Sequence, residues 1–214
     1  MGISNCCAAF DVAAVCSGFL YGLTIAGQFI QSGTYEHALV IGADTFSKVT
    51  DWNHRNCVFF GDGAGAVVLE RNDRKNGLFS SILWAQGEGM DHFTIFPGDA
   101  YFTMNGKAVY ETATTAVPEC IRQILCVNRL GLEDVSMIIP HQASARILKR
   151  IAEALNVPFS RMQTNLESYA NTAGASVPLV LDQVNRRGLI HGGDLLLFAA
   201  IGAGWTWGAS LYRW

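Results

Sequence analysis

The side chains best suited to covalent or acid–base chemistry here are six cysteines and five histidines. Cys16 stands apart from the other cysteines. It follows an apolar run at residues 8–12, read as a buried strand, and precedes a run with helical periodicity. At such a junction the N–H groups of the helix N-terminus favour negative charge, so a thiolate is stabilised and a lowered thiol pKa is expected. Ala13, Ala14, Ser17 and Gly18 leave room for a substrate carbonyl. On position alone, an inert buried thiol is an equal reading. Cys6, Cys7, Cys57, Cys120 and Cys126 lack this setting and read as unreactive thiols.

His141 follows Ile138-Ile139-Pro140, just past the end of a short buried strand. Active sites of open α/β sheets are built at such strand ends. The plainer alternative is a histidine satisfied by local backbone. Asn171 opens the sequence NTAGAS at 171–176, ahead of a helix, where an Asn commonly serves as a cap or turn residue. Its amide N–H₂ is also a neutral donor for a thioester oxygen. The glycine-rich segment 61–65 fails as a nucleotide loop, because a strand-like run at 66–69 follows it rather than a helix. It reads as a tight turn beneath the site. Residues 202–204 read as a strand-to-strand turn whose amides offer a second oxyanion donor.

Positioning these residues requires an alternation of strands and helices. Strands are expected at 7–12, 37–42, 57–60, 66–69, 78–85, 137–139, 194–200 and 209–214. Helices are expected at 18–32, 110–128, 145–155 and 177–187, with Pro118 kinking or breaking the second. Residues 72–77 read as a polar turn and 87–100 as a loop. This order implies an α/β fold with helices packed on sheet faces.

Half of the 214 residues are hydrophobic and 15% are charged, enough for a sizeable core in one or two domains. A net charge of −3 and the lack of basic, aromatic-interleaved runs argue against nucleic-acid binding. No CxxC or metal-finger histidine spacing is present, so no metal site is expected. The chain shows no secretory leader and no apolar run of membrane-spanning length. Free thiols, no membrane insertion and a cytoplasmic location are the expectation. The chain enters strand-like sequence almost at once, so a further upstream segment is also expected.

Residues 9–19 (AFDVAAVCSGF) resemble the nucleophile segment of the β-ketoacyl-acyl-carrier-protein synthase III family, the condensing enzymes that start type II fatty-acid synthesis. Residues 60–66 (FGDGAGA), 140–143 (PHQA), 171–176 (NTAGAS) and 202–209 (GAGWTWGA) resemble that family in the same order and spacing. The resemblance implies an α/β thiolase-type fold, layered α/β/α/β/α, with an incomplete N-terminal half. Residues 1–76 would be the remainder of that half and carry the nucleophile; 77–214 would be the C-terminal half with His and Asn. Without the front strands, the first sheet keeps unpaired edges.

The same resemblance implies a catalytic set of Cys16, His141 and Asn171, with the backbone amides of Cys16 and Ala203 as oxyanion hole. Cys16 would take an acyl group from acyl-CoA, and malonyl-acyl carrier protein would then lose CO₂ and attack it. With a low-pKa thiolate, His141 need not be a general base. Arg55 matches an arginine at the coenzyme A adenine site. Met104, Gly106, Tyr110, Ala143 and Ser144 match a tunnel for the pantetheine arm. Arg146 matches a residue docking acidic acyl carrier protein, and Lys149 and Arg150 share its helix; a solvated helix face is the plainer reading for all three. Lys107 and Glu111 depart from the family pattern. The implied assembly is a homodimer, with acyl-CoA and malonyl-acyl carrier protein as substrates and no cofactor. A related secondary-metabolism ketosynthase or acyltransferase, or a truncated non-catalytic partner subunit, are the alternatives.

Overall fold

Two sheets organise the computed structural model, which describes residues 7–72 and 76–214. The first pairs β1 (His37–Thr45) antiparallel with β2 (Asp62–Glu70), His37 opposite Glu70 and Thr45 opposite Asp62. β3 (Gly77–Ala85) opens the second sheet, which continues after the short pair β4 (Phe93–Thr94) and β5 (Thr103–Met104). Its other strands are β6 (Met137–Pro140), β7 (Leu195–Gly202) and β8 (Thr206–Arg213), in the order β3-β8-β7-β6. The α-helices are α1 (Gly18–Gln31), α2 (Gly106–Val127), α3 (Ala145–Leu155), α4 (Leu166–Tyr169) and α5 (Ser176–Arg186), with short 3-10 turns between elements.

β7 explains the layering. All eight of its residues are buried, and a strand apolar on both faces needs cover on both. Leu195, Leu197, Ala199 and Ile201 face one core with Val117, Ile121 and Ile124 of α2 and Ile147, Leu148 and Ile151 of α3. Leu196, Phe198 and Ala200 face the other core, with Phe19, Leu20 and Leu23 of α1 and Val177, Val180 and Val184 of α5. Each fully buried large side chain contributes roughly 1.5–3 kcal/mol. The amphipathic α3 starts where the Ser144 hydroxyl accepts the Ile147 N–H at 3.3 Å and ends at left-handed Asn156.

Several local expectations are corrected. Residues 7–14 form no strand; no described strand lies alongside to pair with them, and Phe10 is 63% exposed against Phe29. Arg55–Phe59 is a 3-10 helix rather than a strand, capped by His54, whose Nδ1 accepts the Asn56 N–H at 3.2 Å. Val58 within it is exposed, so the apolar run does not mark a buried strand. Residues 62–65 are strand rather than turn, because β1 pairs along the whole of β2. β1 itself is not buried throughout: Leu39 and Ile41 are exposed, and only its other face packs on α1 through Val40. Pro118 does not break α2, since Val117, Pro118, Ile121 and Ile124 are all buried and packing outweighs one lost helical bond. A single 3-10 turn, Gly87–Gly89, and β4 lie within the expected loop 87–100. Residues 73–75 of the expected turn and Cys6 lie outside the described residues.

Candidate active site

Cys16 sits in a 3-10 turn, Val15–Ser17, that runs directly into α1. Val15 takes φ +46°, a region that β-branched residues rarely occupy and that costs of order 1–3 kcal/mol. Surrounding hydrogen bonds hold this conformation. The hydroxyls of Ser17 and Thr206 both donate to the Ala14 carbonyl, at 2.8 and 3.0 Å, and lie 2.7 Å apart. The end of β7 presses on the same turn. A Cβ added to Gly202 would stand 2.8 Å from the Ala14 oxygen and 2.9 Å from the Cys16 nitrogen. The tight turn carrying Ala203 follows Gly202 immediately.

Asn171 is held through its backbone: its N–H donates to the Phe59 carbonyl at 2.9 Å, and its carbonyl accepts the Gly61 N–H at 2.9 Å. Its side-chain Oδ1 accepts the Ala173 N–H at 2.9 Å. The turn role and the donor role are therefore compatible. With Oδ1 committed, the amide N–H₂ is the group left to face a ligand. Ala173, at φ +48°, bends the chain through the 3-10 turn Ala173–Ala175 into α5. There the buried Ser176 places Oγ 2.7 Å from Nδ1 of buried His141. His141 follows β6, its N–H bonded to the Ala199 carbonyl at 2.7 Å. An added Cβ at Gly174 would stand 3.4 Å from the Val15 oxygen, so the Asn171–Ser176 segment abuts the Cys16 turn. Glycines of β2 allow this approach from below, Gly63 under Thr172 and Gly65 under Pro178.

Electrostatics correct one expectation. Burial pushes the Cys16 thiol up to about 12, the charge of Asp44 adds to this, and the cysteine's own N–H opposes it. Desolvation of the enclosed sulfur outweighs the helix-terminus effect that predicted a lowered value. Burial pulls His141 down to about 4, against a smaller upward effect of the Ala173 backbone, so the imidazole is neutral at pH 7. Asp44 is raised by burial while the Gly174 N–H lowers it.

Arg55 is exposed at the start of its 3-10 helix. A neighbouring cleft of about 510 Å³ is lined by Asp51, His54, Asn56, Cys57 and residues 99–104, which include Met104. Gly106 is exposed at the start of α2, and Tyr110 is half-buried one turn on. Ala143 and Ser144 lie half-buried between His141 and α3. The Arg146 guanidinium stacks 4.7 Å over the Tyr110 ring, and Lys149 approaches the Phe159 ring at 5.8 Å. Arg150 pairs with Glu153 at 3.2 Å on the exposed face. Lys107 and Glu111, the two departures from the family pattern, pair loosely at 3.9 Å. Ser176 and Thr206 lie within the quoted segments 171–176 and 202–209 without a role assigned to them there, and Asp44 lies in none of those segments. Phe60, bridged to Asn171, stacks on Phe46 at 4.6 Å and meets Phe102 at 4.8 Å, an aromatic wall visible only in three dimensions.

Residues 10–87 match the family model of 3-oxoacyl-[acyl-carrier-protein (ACP)] synthase III, and residues 125–214 match that of its C-terminal part. The chain belongs to this family. A β-ketoacyl-ACP synthase III of Aquifex aeolicus is 41% identical over 207 residues, covering 96% of this chain and 67% of that protein. Synthase III 1 of Bacillus cereus is also 41% identical, over 97% of this chain and 66% of that protein. The chain thus spans about two thirds of the length of these curated relatives. The crystal structure of the Aquifex aeolicus synthase superposes with a TM-score of 0.95 at 40% identity, covering 98% of this chain and 68% of that one. The fold of this synthase III family member is the thiolase fold, and the family's members are condensing acyltransferases.

Proposed function

We propose that this chain performs the priming condensation of fatty-acid synthesis, with Cys16 as acyl acceptor. The observation that carries the reading is the meeting of the Cys16 turn, neutral His141 and Asn171, whose Oδ1 is already bound. Cys16 attacks the acyl-CoA thioester. The S–C bond to coenzyme A breaks, and the backbone amides of Cys16 and Ala203 hold the oxyanion. Because the thiol is pushed up to about 12, its proton must leave during the attack. The departing coenzyme A sulfur takes that proton as the S–C bond breaks, because His141, held down at about 4, is too weak a base to keep it.

Malonyl-acyl carrier protein then binds at the vacated position. Loss of CO₂ leaves an enolate, whose negative oxygen is held by the His141 N–H and the Asn171 amide. Both donors are uncharged, so they stabilise the enolate without readily protonating its carbon. That carbon attacks the acyl-Cys16 thioester, forming β-ketoacyl-acyl carrier protein and freeing the cysteine. Each substrate supplies its own activated thioester, so the chemistry requires no cofactor. Arg55, Met104, Gly106, Tyr110, Ala143 and Ser144 form the approach for the pantetheine arm. Arg146, Lys149 and Arg150 offer an acidic carrier protein positive charge on an exposed helix face. The expected assembly is a homodimer, as the resemblance implies. Sedimentation of the full chain tests this. A cytoplasmic setting fits free thiols at Cys7, Cys16, Cys57, Cys120 and Cys126. Among the described residues no helix is long and apolar enough to cross a membrane.

Intact-mass spectrometry after incubation with acetyl-CoA and longer acyl-CoAs tests the reading. An acyl adduct is expected on the wild type and not on Cys16→Ser. A folded sample that forms no adduct with any donor overturns it.

A further inference from the structure

We propose that Asp44 is a positioning residue, clamping the turn that carries Asn171 and Ser176 against the turn that carries Cys16. Asp44 lies near the end of β1, and its Oδ2 accepts the Gly174 N–H at 2.8 Å. The Ala173 and Ala175 N–H groups bond locally, to Asn171 Oδ1 at 2.9 Å and the Thr172 carbonyl at 3.0 Å. Within the 3-10 turn Ala173–Ala175, the Gly174 amide is therefore the N–H that reaches across to another element. Contact with β1 is close at a second point. A Cβ on Gly42 would stand 2.2 Å from the Gly174 oxygen, so only glycine lets the strand approach. Gly174 in turn separates Asp44 from the Cys16 turn: its own added Cβ would lie 3.1 Å from Asp44 Oδ2 and 3.4 Å from the Val15 oxygen. One carboxylate thus spans from the β1–β2 sheet to the segment between Asn171, one proposed enolate donor, and Ser176, which holds the ring of the other, His141.

Asp44 also places negative charge near the Cys16 sulfur, which disfavours the thiolate. His141, the other titratable group of the site, is neutral. Asp62, on the paired strand, is occupied by the Ser47 N–H at 2.8 Å and the Ser47 hydroxyl at 2.5 Å. Removing the Asp44 charge should therefore make Cys16 react at lower pH, which loss of a purely structural contact would not do.

The decarboxylation arm of the test rests on the proposed function; the thiol arm does not. Asp44→Ala and Asp44→Asn are made in the full chain and checked for folding by circular dichroism. Malonyl-acyl carrier protein decarboxylation is followed by CO₂ release, and iodoacetamide labelling of Cys16 by peptide mass spectrometry across pH. Asp44→Ala is expected to decarboxylate at least tenfold more slowly. Asp44→Asn, which keeps an oxygen acceptor for Gly174, should recover part of that loss. Both should shift Cys16 labelling to lower pH. If Asp44→Ala is unfolded, Asp44→Asn decides. A folded Asp44→Asn with an unmoved labelling profile overturns the proposal, even if the wild type shows no decarboxylation. Equal loss of decarboxylation in two folded variants overturns the positioning role as well.

Discussion

Ser176 Oγ lies 2.7 Å from His141 Nδ1, and both side chains are buried. This bond fixes the ring's rotation and commits one of its two nitrogens, leaving Nε2 for chemistry. Ser176→Ala leaves Nδ1 buried without this partner, at a cost of about 1–3 kcal/mol. Decarboxylation is expected to fall roughly tenfold or more, and thermal stability to fall with it. Ser176→Thr keeps the hydroxyl and should retain more activity than the alanine variant. Equal activity in wild type and Ser176→Ala would show that the serine does not orient the ring.

His141 makes stability depend on pH in a defined window. Its folded pKa, about 4, lies below the ordinary 6.5, so the unfolded chain binds the proton more readily. No penalty arises above pH 6.5. As pH falls from 6.5 towards 4, folding loses up to about 3 kcal/mol from this group. Chemical denaturation at several pH values checks this. His141→Asn should lose less stability over the same range.

The enclosed Cys16 thiol should label slowly at neutral pH. Iodoacetamide should reach exposed Cys7 and Cys126 first, and the Cys16 rate should climb about tenfold per pH unit from pH 7 to 9. Peptide mass spectrometry separates the sites. Rapid, pH-independent labelling of Cys16 at pH 7 would indicate a stable thiolate and remove the need for a proton acceptor in acylation.

Much of this arrangement is legible in the sequence because it rests on periodicity and chain order. The continuous apolar run of β7 and the spacing along α3 predict their burial directly. Position alone leaves Cys16, His141 and Asn171 open to plainer readings; the resemblance of the segments that carry them is what joins them into a set. What the sequence hides is long-range. Residues 57–60 have strand-like composition, but the His54 cap and the bond between Phe59 and Asn171 make them a helical turn. The Cys16 pKa is not legible in the sequence, because a helix N-terminus is a local feature, whereas desolvation depends on everything packed around the sulfur. Asp44 and Ser176 act on residues 130 and 35 positions away, a relationship that no local pattern records.

Gly202 offers the most direct test of the proposed oxyanion geometry. It has no room for a side chain, because an added Cβ would lie 2.8 Å from the Ala14 oxygen and 2.9 Å from the Cys16 nitrogen. Both neighbours are backbone atoms and cannot swing aside. Gly202→Ala must therefore move the Cys16 turn, the Ala203 turn, or both, and spoil the pairing of their amides. Losing one oxyanion donor commonly slows acyl transfer by about 10²-fold or more. Acylation of Cys16 by acetyl-CoA should slow by that order in a folded Gly202→Ala protein. Malonyl decarboxylation should suffer less, since it relies on His141 and Asn171. Acylation at the wild-type rate would mean that these two amides do not form the oxyanion hole.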